Sequence, residues 1–277
     1  MSQGDTPTWS TGHGERWRAH LDRFEGMLAP VNDLLIEALR LDGPTQIAEI
    51  GSGGGGATFE IHRQAPAGSV VHGYDVSPAL VEAARARIPN DTHSLRFTLA
   101  DMQTADPPQQ YDRLTSRFGV MFFDDPPIAF SQLTRWLAPG GRIAFSVWGS
   151  PRNNLWFTVV KDALAQFVDF PPPEPDQPGP VRYADADAFL ALLDRSGFSN
   201  LHVETWRGEL PVGGGLSVDE AAHFAMSSFS LAESLKDQGE AISAEAHQAL
   251  VRRLHPYERS GAVWLQSEVH IVTGTRL

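Results

Sequence analysis

The sequence predicts an α/β fold with a doubly wound, mostly parallel sheet and a helical cap. Strand-like apolar runs alternate with helix-like segments between Gln46 and Trp148. Alternation at this spacing produces parallel strands joined by right-handed crossovers, with helices on both faces of the sheet. The runs are mostly continuous rather than alternating in polarity, as expected for strands that are buried on both faces.

The first half of the chain supplies most of the predicted sheet. Two helical patterns, 16–28 and 31–41, precede the first strand, and the predicted strands then cover 46–50, 69–75, 95–101 and 111–119. The segment 138–148 is predicted to be a turn followed by a fifth strand. Ser77 followed by Pro78, and Asp125 followed by Pro126, are typical of helix N-termini, because the first residue caps the backbone and proline suits the first turn. These signals place helices between the strands.

After Trp148 the strand–helix rhythm changes. A helix is predicted over 153–168, an irregular proline-rich connection over 171–180, and a helix ending at Gly197. A strand at 200–212, two helices within 217–254 and a final strand at 263–275 complete the chain. We therefore predict one domain over 1–277, with N-terminal cap helices at 1–42, a core at 43–150, and remaining core strands at 151–277 that carry cap insertions at about 151–185 and 213–260.

Composition limits the possible functions. The 277 residues are 42% apolar, carry a formal net charge of -12 and include no cysteine. The negative charge disfavours nucleic acids and anionic membranes as partners, and the lack of cysteine excludes disulfides, thiol catalysis and Cys-based metal sites. The ten histidines form neither an H-x-x-x-H nor an H-E-x-x-H pattern. We expect a cytoplasmic protein that binds small molecules, without a metal, nucleic acid or membrane partner, as a monomer or homodimer.

A glycine-rich loop follows the first strand. Gly51, Gly53 and Gly56 satisfy the pattern G-x-G-x-x-G, and Asp75 ends the second strand. Glycines at this point let a ligand approach the backbone and use the amides at a helix N-terminus. Ligands of doubly wound sheets bind at the carboxyl ends of the strands, where an acidic residue such as Asp75 can bind ribose hydroxyls. A nicotinamide cofactor satisfies this pattern as well as any other nucleotide.

Glu49 favours a different cofactor. It lies inside the first strand between apolar neighbours, where an unpaired carboxylate costs several kcal/mol. The pyrophosphate of a dinucleotide brings no cation to that position. S-adenosylmethionine brings an ammonium group and a sulfonium.

The segment "EIGSGGG" resembles the first motif, E/D-x-G-x-G-x-G, of class I S-adenosylmethionine-dependent methyltransferases. "VHGYDVS", "LADMQT" and "SRFGVMFFDDP" resemble the family segments after the second, third and fourth strands. The resemblance implies that Asp75 binds the ribose, that Val76, Asp101 and Met102 surround the adenine, and that 116–118 line the methionine end. The implied cofactor residues are Glu49, Gly51, Ser52, Gly53, Gly55, Asp75, Val76, Asp101, Met102, Ser116, Arg117 and Phe118.

The similarity covers 45–150 and the final strand. "LAPGGRIAFSVW" resembles the family's L-x-P-G-G turn, and the last strand fits the family's antiparallel insertion. The resemblance therefore implies a Rossmann-like, seven-stranded sheet whose last strand is antiparallel. Within the class, the segments "SRFGVMFF" and "PGGR" are most similar to those of methyltransferases related to the ubiquinone and menaquinone biosynthesis enzymes. Gly54 and Gly56 exceed what the motif requires, and we interpret them as added flexibility.

The sequence says less about the methyl acceptor than about the cofactor. Methyl transfer is an in-line displacement that depends on holding the nucleophile close and excluding water. We expect an O, N or C nucleophile of a small aromatic or quinone-like secondary metabolite. The predicted acceptor pocket consists of Trp17, Phe24, Trp148, Trp156 and Arg182, and the histidines placed to serve as a general base are His13, His20 and His223.

Three alternatives stay open at this point. An NAD(P)-dependent oxidoreductase is disfavoured by Glu49 and by the final strand, and the chain has no evident Y-x-x-x-K pair. A non-catalytic S-adenosylmethionine-binding protein is consistent with every motif, because no acceptor residue is diagnostic. A nucleic-acid methyltransferase is disfavoured by the charge and by the lack of an N-P-P-Y or D-P-P-Y motif.

Overall fold

The computed structural model describes residues 9–170, 177–228 and 239–276, and its centre is one mixed β-sheet. The strands are β1 (Gln46–Ile50), β2 (Val70–Asp75), β3 (Leu95–Leu99), β4 (Tyr111–Arg117), β5 (Leu137–Trp148), β6 (Phe198–Pro211), β7 (Glu258–Arg259) and β8 (Ala262–Arg276). Their order across the sheet is β3-β2-β1-β4-β5-β8-β6, and β7 pairs with β8 beside this path.

The first five strands pair in parallel, and β8 is antiparallel to both of its neighbours, β5 and β6. The doubly wound sheet with an antiparallel last strand is therefore confirmed. The sequence analysis missed β7, because two residues are too short to produce a strand pattern.

The helices are α1 (Gly12–Ala19), α2 (Leu21–Leu28), α3 (Pro30–Leu39), α4 (Gly56–Gln64), α5 (Pro78–Ala86), α6 (Pro126–Trp136), α7 (Leu155–Leu164), α8 (Ala186–Arg195), α9 (Val218–Ser228) and α10 (Glu240–Leu254). The single helix predicted over 16–28 was wrong, because His20 adopts φ -119 and ψ 22 and separates α1 from α2. The predicted caps are confirmed: Ser77 accepts from the Leu80 amide at 3.4 Å, and Asp125 accepts from the Ile128 amide at 3.1 Å.

The sheet is covered on both faces. On one face α3, α4 and α5 bury a layer that includes Leu39, Ile61 and Val81. On the other face α6 and α8 pack through residues such as Phe130 and Phe189. Within the described ranges, no helix combines the length and the apolarity needed to cross a bilayer. Most of the predicted proline-rich connection, 171–176, lies outside the described residues.

The segment that joins β5 to α7 is fixed by Glu268 of β8. Asn154 accepts from the Glu268 amide at 2.9 Å and donates to its carbonyl at 3.2 Å. The Glu268 carboxylate accepts from the Ser150 amide, from Asn153 and from Arg207 at 2.8–3.0 Å. Burial opposes ionisation of this carboxyl, but these hydrogen bonds hold the pKa of Glu268 below its ordinary value.

We predict that Asn154→Ala lowers the free energy of unfolding by about 1–3 kcal/mol, because the buried Glu268 amide loses its partner, while the Glu268 carbonyl keeps only the Gly149 amide at 2.8 Å. Urea unfolding monitored by circular dichroism measures the change. Asn90→Ala is the control, since Asn90 is exposed and should leave the stability within about 0.5 kcal/mol. Equal stability of the two variants would contradict the role of Asn154.

Candidate functional site

The carboxyl ends of β1 and β4 meet at the glycine loop. Gly51, Gly53 and Gly55 all have positive φ, and a β-carbon on Gly51 would lie 3.0 Å from the Gly119 Cα atom. The Ser116 hydroxyl donates to the Ile50 carbonyl at 2.8 Å and accepts from the Gly119 amide at 3.1 Å. Ser116 therefore links the two turns, so its hydroxyl has a structural function beside the cofactor contact that the resemblance implies.

Asp75 fixes the shape of the same loop. Its carboxylate accepts from the Gly53 amide at 2.7 Å and from the Ser77 amide at 2.8 Å. Burial raises the pKa of Asp75, and these backbone hydrogen bonds oppose the rise. Each carboxylate oxygen has further lone pairs, so ribose binding by Asp75 stays compatible with this geometry and stays a prediction.

The third strand brings Asp101 to the same edge. The Ala100 amide donates to the Asp75 carbonyl at 3.0 Å, which places the β3 turn beside the β2 turn. The Asp101 carboxylate accepts from the Gln103 amide at 2.9 Å, while Met102 is buried in the core. Val76 is half-buried next to Asp75. The implied adenine residues are thus neighbours, and their contacts with adenine stay predictions.

Glu49 is the buried acid of the site. Its side chain is 1% exposed and accepts a hydrogen bond from the hydroxyl of Thr58 on α4. Burial raises the pKa of Glu49 to about 7, while Thr58 and the positive charge of Arg117 oppose the rise. The sequence analysis missed Thr58, although α4 begins directly after the glycine loop and carries it toward β1.

A cation of the chain itself, Arg117, acts on Glu49 through its charge. Arg117 ends β4 and donates from Nη1 to Oδ1 of Asn32 at 2.8 Å. Burial lowers the pKa of Arg117, and the charges of Glu49 and Glu25 oppose the decrease. The sequence analysis inferred that the countercharge must come from the ligand, and the structure corrects that argument. Glu49 alone therefore does not exclude a dinucleotide.

Helices α1 and α2 lie directly over the glycine loop. A β-carbon on Gly54 would lie 2.5 Å from the Leu21 methyl groups, and one on Gly56 would lie 2.8 Å from the Glu25 side chain. A β-carbon on Gly53 would lie 4.0 Å from the indole nitrogen of Trp17. The two additional glycines were interpreted as added flexibility. The structure gives them another role, since they allow α2 to approach the loop.

An aromatic cluster adjoins this covered loop. It consists of Trp17, Phe24, Trp156 and Phe224. Trp17 stacks on Phe24 with ring centroids 3.8 Å apart, and Phe224 joins Phe24 at 5.1 Å to Trp156 at 5.8 Å. Three of the four predicted acceptor tryptophan and phenylalanine residues therefore meet, and the sequence analysis missed Phe224.

Trp148 belongs to a neighbouring aromatic group. It stacks on Phe118, with centroids 4.3 Å apart, and contacts Phe157 edge to face at 5.6 Å. Phe118 adopts φ +63, a conformation that side-chain-bearing residues rarely take, and thereby ends β4 beside Trp148. The implied cofactor residue Phe118 and the predicted acceptor residue Trp148 are thus direct neighbours.

The remaining predicted site residues are spread more widely. His20 lies at the aromatic cluster, 5.7 Å from Phe224. His13 lies beside Trp9, and its pKa is lowered by burial and by Arg16. The side chain of His223 is exposed, and Arg182 donates to the Phe123 carbonyl. Among the residues that the structure describes, no group of three His, Asp or Glu side chains could hold a metal ion.

The raised pKa of Glu49 makes stability depend on pH. The folded state favours the neutral acid, so stability falls as pH rises from about 4.5, where the unfolded chain ionises, to about 7. We predict that Glu49→Gln, which keeps the neutral shape, becomes more stable than the wild type across this window, by up to about 3 kcal/mol. Urea unfolding at pH 5 and pH 8 tests this, and an equal difference at both values would contradict it.

Comparison with protein families gives one match. Residues 47–141 match the family model described as a methyltransferase domain. The matched segment contains β1 without its first residue, β2 to β4, the glycine loop, Glu49, Asp75 and Arg117.

Two relatives are similar over part of the chain. Malonyl-[acyl-carrier protein] O-methyltransferase 1 of Ilyobacter polytropus is 34% identical over 104 residues, which are 38% of each protein. Ubiquinone/menaquinone biosynthesis C-methyltransferase UbiE of a Geobacter species is 27% identical over 157 residues, 50% of this chain and 65% of the relative. The chain thus spans less than two thirds of the length of either relative.

A solved structure shows the same fold over most of the chain. Phosphoethanolamine N-methyltransferase 2 of Haemonchus contortus, in complex with phosphomonomethylethanolamine and S-adenosylhomocysteine, superposes with a TM-score of 0.60 at 15% identity. The superposition covers 98% of this chain and 60% of the other. At this identity the likeness concerns the fold alone.

The strand order with its antiparallel insertion, the placement of the glycine loop and the matched segment agree with one another. They also agree with the relatives and with the solved structure. Residues 47–141 are therefore similar to the methyltransferase domain family, and the solved methyltransferase structure has the same fold.

Proposed function

We propose that this protein transfers a methyl group from S-adenosylmethionine to an O, N or C nucleophile of a small aromatic or quinone-like metabolite. The observation that carries this proposal is a pair of opposite charges, Glu49 and Arg117, at the glycine loop, next to the aromatic cluster. The charges suit the amino-acid end of the cofactor, and the cluster suits a planar acceptor.

The residues present fit this cofactor. Its amino-acid end carries an ammonium and a carboxylate, and Glu49 and Arg117 offer one complementary group for each. Within the described residues, the Arg117 guanidinium makes a single hydrogen bond, to Asn32, which leaves its other N–H groups for a carboxylate. An arginine fork matches the carboxylate geometry. We therefore assign the methionine end to Glu49 and Arg117, and the ribose to Asp75.

When bound, S-adenosylmethionine supplies an activated methyl group on a sulfonium. The residues of this chain position the acceptor and exclude water, which are the main requirements of a displacement of this kind. The faces of Trp17 and Phe24 also favour a nearby cation electrostatically. His20 adjoins the cluster, so we propose it as the proton acceptor for nucleophiles that must lose a proton.

The acceptor class rests on the aromatic cluster. Trp17, Phe24, Trp156 and Phe224 pack against one another, and Phe24, Trp156 and Phe224 are only 3–5% exposed, so a planar, largely apolar acceptor would bind against the edge of this cluster. One relative is named for quinone biosynthesis, which agrees with this class, whereas the other is named for malonyl-[acyl-carrier protein]. Arg182 is held by the Phe123 carbonyl. We propose that Arg182 pairs with a carboxylate group on the acceptor.

We also propose how the chain operates as a whole. The N-terminal helices, the core strands and the cap share one continuous hydrophobic core, which supports a single domain over 1–277. The net charge of -12 supports a small-molecule partner over a nucleic acid. We propose a cytoplasmic enzyme of secondary metabolism that is a monomer or homodimer.

Calorimetric titration with S-adenosylhomocysteine, with NAD in parallel, tests the proposed function. We expect binding of S-adenosylhomocysteine at one site per chain and no binding of NAD. Phenols, quinones and indoles are then tested for methyl acceptance. Binding of NAD alone would contradict the proposal, while S-adenosylhomocysteine binding without turnover of any acceptor would indicate a non-catalytic binding protein.

The assignment of Arg117 has a separate test. Arg117→Gln should weaken S-adenosylhomocysteine by about 1.5–3 kcal/mol, because a charged hydrogen bond to the carboxylate is lost. The variant should bind 5′-methylthioadenosine like the wild type, since that compound lacks the amino-acid end. Arg96→Gln, at an exposed arginine of β3, should affect neither ligand. Equal weakening of both ligands by Arg117→Gln would refute the assignment.

A further inference from the structure

We propose that α2 is a lid held shut on the glycine loop by an ion pair between Glu25 and Arg87, and that it must lift for the cofactor to enter or leave. This inference rests on the proposed function, because it assigns regulation to the same cofactor site. Neither the fold nor the cofactor motifs imply this ion pair or its effect on cofactor exchange.

The first argument is the fit between α2 and the loop. Gly54 and Gly55 are buried beneath the N-terminal helices. Leu21 occupies the space that a side chain on Gly54 would need, and Glu25 occupies the space beside Gly56. Gly54 and Gly56 do not have positive φ, so the backbone conformation does not require glycine at either position. Their glycines are explained by the close approach of α2.

The second argument is the ion pair that fastens this contact. The Arg87 guanidinium donates from both terminal nitrogens to the two Glu25 oxygens, at 2.7 and 2.8 Å. Its Nη1 also donates to the Gly54 carbonyl at 2.7 Å, and the group lies 5.0 Å above the Phe59 ring. Hydrogen bonding to Glu25 raises the pKa of Arg87. One side chain therefore connects the end of α5, the loop and α2.

The third argument is what α2 and α1 carry. Trp17 and Phe24 form one half of the aromatic cluster, and Trp156 and Phe224 of α7 and α9 form the other. On its other side α2 packs against the turn before α9, where a β-carbon on Gly26 would lie 2.9 Å from the Gly214 Cα atom. Lifting α2 would separate the two halves of the cluster. The acceptor pocket is therefore complete only when the lid is shut, so the cofactor must enter before the acceptor.

The lid has a distinct kinetic signature. If exchange occurs only from the lifted state, the association and dissociation rates are both proportional to the lifted fraction. A weaker ion pair raises this fraction in the free and the bound protein alike. Both rates then rise together while Kd changes little. Damage to the binding site instead raises the dissociation rate alone.

Stopped-flow tryptophan fluorescence with S-adenosylhomocysteine measures both rates. Glu25→Gln should raise association and dissociation roughly three- to tenfold, the effect of losing a partly exposed bidentate ion pair, with Kd within about twofold. The control is Glu60→Gln, which removes an exposed ion pair with Arg63 on α4 and should leave both rates unchanged. Added salt should accelerate exchange in the wild type more than in Glu25→Gln.

A second pair of variants tests the packing. Gly54→Ala should push Leu21 outward and raise both rates. The double variant Gly54→Ala with Leu21→Ala should have rates close to those of Leu21→Ala alone, because removing the Leu21 side chain makes room for the new methyl group. A rise in dissociation without a rise in association would overturn the lid, as would unchanged rates in folded Glu25→Gln. A wild-type protein that does not bind S-adenosylhomocysteine at all would instead remove the proposed function on which the lid depends.

Discussion

The site depends on a carboxylate that is buried in the middle of the sheet. Glu49 is almost fully enclosed, and an isolated charge at such a position is unfavourable by several kcal/mol. Thr58 from α4 and Arg117 from β4 reduce this cost from two sides. The elements that surround the glycine loop are therefore arranged around one charge, and Arg117 is in turn oriented by Asn32 of α3. In the proposed function, this charge pairs with the ammonium group of the cofactor.

The second constraint is space rather than charge. The loop lies beneath α2, and the contact leaves no room for side chains on Gly54 and Gly56. Space is equally restricted at Gly14, where a β-carbon would clash with the Ser77 hydroxyl at the start of α5. The N-terminal helices are thus fitted onto both the glycine loop and the turn that follows Asp75. The cap and the cofactor site form one packed unit.

The sequence predicted the fold well because its signals are local. Ser77, Asp125 and Gly197 each mark a helix end through their own side chain or backbone, and continuous apolar runs indicate buried parallel strands. The contacts around Glu49 are not local. Arg117, Asn32 and Thr58 come from different elements, and no spacing in the sequence relates them. A run of glycines shows that something approaches closely, but only the folded chain shows that Leu21 and Glu25 do so.

The cofactor residues and the aromatic cluster differ in how much the family match covers them. Glu49, Asp75 and Arg117 lie within 47–141, the segment that matches the methyltransferase family model. Trp17, Phe24, Trp156 and Phe224 all lie outside it, in helices that pack onto the core from before and after. The two relatives that are similar over part of the chain carry different names, one for malonyl-[acyl-carrier protein] and the other for ubiquinone/menaquinone biosynthesis. In the proposed function, the acceptor is chosen by these helices, because they contribute the rings of the proposed acceptor pocket.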